Sequence, residues 1–134
     1  MMQFSTKAEY SLKAMINLAK HYGKEPISLA KIAKEEKISK EYLEQLIAKL
    51  KANNLVKSTK GVKGGYILTK KPNLISAADV IEATEGSLAP FYCVSDADAR
   101  CCTKKDCLTK NMWINVKKSI KKSLESTKLT DLYK

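Results

Sequence analysis

Apolar residues recur at helical spacing from the beginning of the chain. Leu12, Met15, Ile16 and Ala19 share one face, which predicts a first helix over residues 6–22. Thr6 and Glu9 stand at capping-box spacing ahead of that run, and Gly23 supplies a stop. Ser28 can cap a short second helix carrying Leu29, Ile32 and Ala33, which continues through Glu35, Glu36 and Lys37 to a tight turn at Ile38. Ser39 caps a third helix with Leu43, Leu46, Ile47 and Leu50 on one face; Asn53 and Asn54 end it, since asparagine tolerates left-handed backbone. The period then shortens. Residues 55–59 and 66–69 read as strands, and the glycine-rich stretch Lys60 to Gly65 between them as a hairpin tip.

Pro72 interrupts the chain, Ser76, Ala77, Ala78 and Asp79 open another capped helix to about Glu85, and Gly86 closes it. Residues 87–104 show no apolar periodicity and read as a loop. From about Lys105 a helical pattern returns, with Leu108, Met112, Val116, Ile120 and Leu124 in a stripe opposite Lys117, Lys118, Lys121 and Lys122. Such a stripe needs a cover, either its own domain or, as expected here, the same helix of a second subunit. No apolar stretch approaches the ~20 residues of a membrane span. The first residues lack the pattern of a secretion signal, so a cytoplasmic location is expected.

Charge sharpens this picture through its distribution. The chain carries a formal +11. Residues 1–75 hold 15 basic and 6 acidic groups, residues 76–134 hold 10 and 8. A basic front half suits a polyanion, because each neutralised phosphate releases condensed counterions. Two short helices joined by a tight turn, followed by a basic glycine-tipped hairpin, form the winged helix-turn-helix order, whose second helix enters the major groove. The expected fold is therefore mainly α with a small β-hairpin: a DNA-binding winged domain over residues 1–75, a connecting helix and cysteine-rich loop over 76–104, and a dimerisation helix with a tail over 105–134.

Off the apolar face of the third helix lie Lys40, Glu41, Glu44, Gln45 and Lys49, with Tyr42 near its start. Gln45 can bond adenine edges and Glu44 can accept from a cytosine amino group, while Ser39, Lys40 and Lys49 can hold phosphates. A solvated helix face is the plain alternative for each. At the tip, Lys60 and Lys63 flank glycines, and Gly64 and Gly65 let backbone amides approach a phosphate or a narrow minor groove; an ordinary β-turn would look the same.

All four cysteines, Cys93, Cys101, Cys102 and Cys107, fall within fifteen residues. In a reducing compartment that clustering points to metal or redox chemistry more than to structural disulfides. The only histidine, His21, lies at the end of the first helix and reads as a surface or cap residue.

The run from Ser39 to Val56, followed by Lys60 to Leu68, resembles the recognition helix and wing of the IscR, NsrR and RirA group of bacterial regulators. The likeness extends from Met2 through Ala77, Asp79, Val80 and Ile81 to the stretch Cys107 to Trp113. It implies a homodimer on a palindromic DNA operator, acting as a repressor and sensing iron-sulfur status, redox state or nitric oxide through a 2Fe-2S or 4Fe-4S cluster. By the same resemblance Tyr42 and Glu44 fall where such regulators read the groove. Lys60 falls at a wing arginine, keeping its charge but not its planar fork. Cys93, Cys101 and Cys107 are similar to the family's three cluster cysteines, thiolates being the expected ligands. Members such as IscR place a histidine three residues after the last cysteine, where this chain has Lys110, which cannot ligate when protonated. The fourth ligand is then Cys102, a small molecule or water, or Glu9 of the partner subunit, although Glu9 also fits the capping box. Tyr92 and Trp113 border the segment as packing residues.

Four thiolates would also satisfy a tetrahedral zinc ion, and a regulator without any metal fits the same winged domain. A small iron-sulfur electron carrier would leave the basic domain unexplained and would need a compact C-x2-C-x2-C run, which is absent. No nucleophile-base-acid set or phosphate loop marks an enzyme.

Overall fold

The computed structural model describes residues 3–89 and 108–133. Its elements run α1 (Thr6–Lys20), α2 (Leu29–Glu36), α3 (Lys40–Ala52), β1 (Val56–Thr59), β2 (Gly65–Leu68), α4 (Ala77–Glu85) and α5 (Lys110–Glu125), with 3-10 turns at Pro72–Leu74 and Leu129–Asp131. The two strands pair antiparallel, Val56 opposite Leu68 and Thr59 opposite Gly65. No helix among the described residues is long and apolar enough to cross a membrane.

Three serines start helices as their spacing predicts. Ser28 accepts from the Lys31 amide and Ser39 from the Tyr42 amide, and Ser76 forms a reciprocal capping box with Asp79. Each cap satisfies an amide with no partner inside the helix, and losing one costs about 1 kcal/mol. At α1 the expectation is corrected. Ser5, not Thr6, is the N-cap, accepting from the Lys7 amide, so Glu9 stands one place beyond the position that would reach back in a capping box. That helix also ends at Lys20, with His21 as its C-cap, two residues short of the predicted end. The turn between α2 and α3 is made by Lys37 in left-handed backbone, φ 56°, and Asn54 does the same after α3, φ 59°.

The main core gathers Met15 and Leu18 of α1, Ile32 of α2, Leu43, Ile47 and Leu50 of α3, Val56 and Leu68 of the hairpin, Ile75, and Val80 of α4. Leu129 belongs to it too and is fully buried, a contribution its sequence position does not announce. The chain after α5 turns back onto the winged body: the Ala77 amide donates to the Thr127 carbonyl at 2.8 Å and the Leu129 amide to the Ile75 carbonyl at 2.9 Å. In contrast, no residue of α5 itself is buried. The helix begins at Lys110 rather than Lys105, which leaves Leu108, the first residue of the expected stripe, in the turn before it and 97% exposed; residues 105–107 lie outside the described part.

Because Leu129 is fully buried in the turn that packs on α1 and on the Pro72–Leu74 turn, Leu129→Ala should destabilise the protein by about 2–5 kcal/mol. The expected reading is a lower urea midpoint at unchanged slope; an unshifted midpoint would mean that the C-terminal return contributes nothing.

Candidate nucleic-acid interface

The recognition helix owes its seating to its buried face. Leu43, Leu46, Ile47 and Leu50 are each 2% exposed or less, which fixes the opposite face outward and exposes Lys40, Glu44, Gln45 and Lys49 together with the cap residue Ser39. Tyr42 differs from the other candidates. It is half-buried, packs on the core, and meets the ring of Tyr10 edge to face at a centroid separation of 5.8 Å.

The wing is held by three connections. Thr59 Oγ1 accepts from the Gly65 amide at 3.1 Å across the hairpin. Lys51 Nζ, near the end of α3, donates to Ser58 Oγ at 3.1 Å. Tyr66 exchanges both backbone hydrogen bonds with Ile27, at 2.8 and 3.2 Å, so the segment between α1 and α2 lies against β2 like a third strand. That approach explains Gly65, and the tightness of the hairpin itself Gly64, in a way the sequence reading did not. A Cβ on Gly65 would sit 2.5 Å from the carbonyl carbon of Ile27, and one on Gly64 2.5 Å from the carbonyl oxygen of Thr59. Backbone cannot retreat as a side chain can, so both positions exclude a side chain on structural grounds alone.

Lys60 is exposed at the tip beside Val62, an apolar side chain fully open to solvent. Lys63 Nζ lies 3.4 Å from Glu25 Oε1. Both of those side chains are largely exposed, so the pair is weak and a phosphate can displace it. Sequence reasoning did not reach Glu25, Val62 or Tyr10, whose relevance comes only from what folds beside them.

Cys93, Cys101, Cys102 and Cys107, and Tyr92 with them, lie outside the described residues. Of the neighbouring candidates, Glu9 is exposed on the first turns of α1 and Lys110 is exposed at the head of α5. Trp113, half-buried, donates its amide to the Thr109 carbonyl at 3.2 Å. His21 places Nδ1 2.9 Å from the Asn17 carbonyl oxygen at the end of α1, in keeping with a cap residue. Among the described residues no three histidine, cysteine or carboxylate side chains converge as a metal site.

A sequence profile described as "Rrf2: Iron-dependent Transcriptional regulator" matches residues 4–134. The chain belongs to the Rrf2 family. It is 39% identical over 131 residues to the HTH-type transcriptional regulator CymR of Bacillus subtilis, a match covering 98% of this chain and 89% of that one. The solved structure of CymR, the global cysteine regulator of B. subtilis, is similar with a TM-score of 0.79 at 38% identity, over 98% of this chain and 96% of that chain. T. potens IscR is similar with a TM-score of 0.77 at 40% identity, over 98% and 85%. As an Rrf2 protein the chain is a DNA-binding transcriptional regulator of winged-helix fold, and its relatives are regulators, not enzymes.

For this Rrf2 chain the wing glycines allow a direct comparison. Gly23, between α1 and α2, has left-handed backbone, φ 82°, which Gly64 and Gly65 do not, but nothing lies within 4 Å of a Cβ built on it. Gly23→Ala should therefore cost only the conformational term, about 1–2 kcal/mol. Gly65→Ala should cost more, about 3 kcal/mol, and should also weaken DNA binding as the wing detaches from Ile27. Urea midpoints of the two variants decide this, and equal losses would contradict the close approach.

Proposed function

We propose that this Rrf2 chain is a cytoplasmic repressor that binds a palindromic operator as a homodimer and senses iron-sulfur status, redox state or nitric oxide through its cysteine segment. The observation that carries the reading is the placement of that segment. It joins α4, which is packed into the winged body, to α5, which has a regular apolar stripe and no buried residue. A helix of that kind gains most by pairing with its copy. Two recognition helices on the resulting twofold axis sit about one helical turn of DNA apart, which calls for an inverted repeat.

In this reading residues 1–75 bind DNA, residues 76–104 connect and sense, and residues 105–134 dimerise, with Leu129 returning to the winged core. Glu44 and Gln45 read base edges, with Tyr42 at the border of the reading face. Ser39, Lys40, Lys49, Lys60 and Lys63 hold phosphates, and the backbone at Gly64 and Gly65 brings the wing close to the duplex. Cys93, Cys101 and Cys107 hold the cluster, and the donor set suits it: four thiols lie within fifteen residues, with no histidine among them. The fourth position falls to Cys102 or to Glu9 of the partner subunit, for which the α1 capping geometry leaves the Glu9 carboxylate available. An iron-sulfur cluster, when bound, supplies a site whose charge and coordination respond to oxidants and to nitric oxide.

The likeness to CymR, named as a cysteine regulator, supports a second reading in which the same fold answers to cysteine supply without a cluster.

Anaerobically purified protein separates the two readings. Changing Cys93, Cys101 or Cys107 to serine should abolish the visible absorption and the bound iron and sulfide, while Cys102→Ala should retain them. Copurification of one zinc per chain, or a colourless protein with full operator affinity, would favour the alternatives. On DNA, Lys60→Ala and Lys63→Ala should each reduce the slope of log affinity against log salt by about one, and Glu44→Ala should relax base preference instead. A change of preferred site in Lys60→Ala with the slope intact would reverse these roles, and a monomer by light scattering would remove the dimer.

A further inference from the structure

The first turns of α1 are tied to two distant parts of the molecule. On one side Ala8 packs with Ile81 of α4 and with Leu88 in a small apolar cluster apart from the main core, flanked by Leu12 and by Leu124 of α5. The Ser5 hydroxyl, at the cap of the same helix, donates to Glu85 Oε1 at the end of α4. Leu88 stands five residues before Cys93, the first of the cysteines. The beginning of α1 is thus fastened where the chain approaches the cysteines.

Tyr10 lies two residues beyond Ala8 and so about 200° round the helix, on another face. Its ring meets Tyr42 with an interplanar angle of 85°, and Lys13 Nζ stands 5.6 Å from its centroid. Tyr42 is the third residue of α3, in the turn that a helix-turn-helix presents to base edges. A displaced α1 therefore moves Tyr10 against the turn that must fit the groove.

We propose that Tyr10 is a positioning residue for the recognition helix: through its edge-to-face contact with Tyr42 it sets the seat of the first turn of α3 and relays to it movement of α1 relative to Glu85 and Leu88. The relay to a signal rests on the sensing reading above; the seating of α3 does not. The contact needs an aromatic ring at position 10 and not a hydroxyl, and aromatic pairs of this geometry are worth enough to alter binding roughly 2- to 10-fold.

The test measures affinity of the full-length protein for its operator and for random-sequence DNA at one salt concentration. Tyr10→Leu should lower the ratio of operator to random-sequence affinity roughly 2- to 10-fold while leaving random-sequence affinity and the salt slope in place; Tyr10→Phe should retain the wild-type ratio. A merely structural Tyr10 would reduce both affinities together through the folded fraction. Glu85→Ala should change the ratio in the wild-type background and have no effect in Tyr10→Leu. An unchanged ratio in Tyr10→Leu, or equal effects of Glu85→Ala in both backgrounds, overturns the proposal. If Tyr10→Leu does not fold, Tyr10→Met takes its place as the non-aromatic variant, with the same loss expected beside retention in Tyr10→Phe; an unchanged ratio in Tyr10→Met overturns the proposal. The measurements are made with iron-sulfur-reconstituted and with chelator-treated protein. Equal operator affinities of those two forms would remove the sensing reading and leave the result for Tyr10 standing.

Discussion

Burial of α1 is the constraint on which the rest of the structure depends. Its buried residues, Ala8, Ser11, Ala14, Met15, Asn17, Leu18 and Ala19, spread over roughly 200° of the helix. A surface helix with a single apolar stripe would have one partner. This one serves as the shared wall for α2, α3, α4, the hairpin and the C-terminal turn. Its small residues, Ala8, Ser11 and Ala14, let neighbours come close, and Met15 fills the centre at 0% exposure. The arrangement carries a polar cost: among the described residues Ser11 Oγ and Asn17 Oδ1 are buried without hydrogen-bond partners, each worth about 1–3 kcal/mol of lost hydration. Asn17 is partly compensated, since its amide nitrogen donates to Glu36 Oε2 at 2.8 Å and so ties α1 to the end of α2.

The surface proposed to meet DNA follows from that frame. With α1 fixed, Lys37 in left-handed backbone turns the chain sharply from α2 into α3, and the Ile38 amide closes the turn on the Ala33 carbonyl at 3.0 Å. The exchange between Ile27 and Tyr66 anchors the wing to the loop after α1, so helix and wing are parts of one rigid body. The basic excess of residues 1–75 is then presented on a fixed geometry. On the proposed reading, charge brings the duplex in and positions it, and the few polar side chains of α3 discriminate among sequences.

What the sequence revealed was what local physics encodes. Helical periodicity, the caps at Ser28, Ser39 and Ser76, the glycine-rich tip and the asparagine stop after α3 all act within a few residues, and each is found in the structure. The misses have long-range causes. Ser5 rather than Thr6 caps α1, where Ser5 also meets Glu85, eighty residues away. The approach of Ile27 to Gly65 and the contact of Tyr10 with Tyr42 join segments that no periodicity relates. Leu129, one of two leucines in a short and otherwise mostly polar tail, reads as unremarkable until the fold buries it in the main core. The side chains proposed to touch DNA were legible only as a set, because the buried face of α3 shows which residues point outward but not which base each one meets.

On the proposed reading, the cysteine segment regulates through what its two ends are attached to. Leu88 is held in the small cluster with Ala8 and Ile81, so the incoming end shares the fate of α1 and the winged body. The outgoing end feeds α5, which meets that body through Leu124 and through Lys121, 3.7 Å from Glu82. On the proposed reading, occupancy of the thiolates biases where α5 sits relative to α4, by roughly the 1–3 kcal/mol by which coupled sites typically influence each other. Because α4 shares its small cluster with the first turn of α1, the same bias reaches the wall against which the recognition helix is packed.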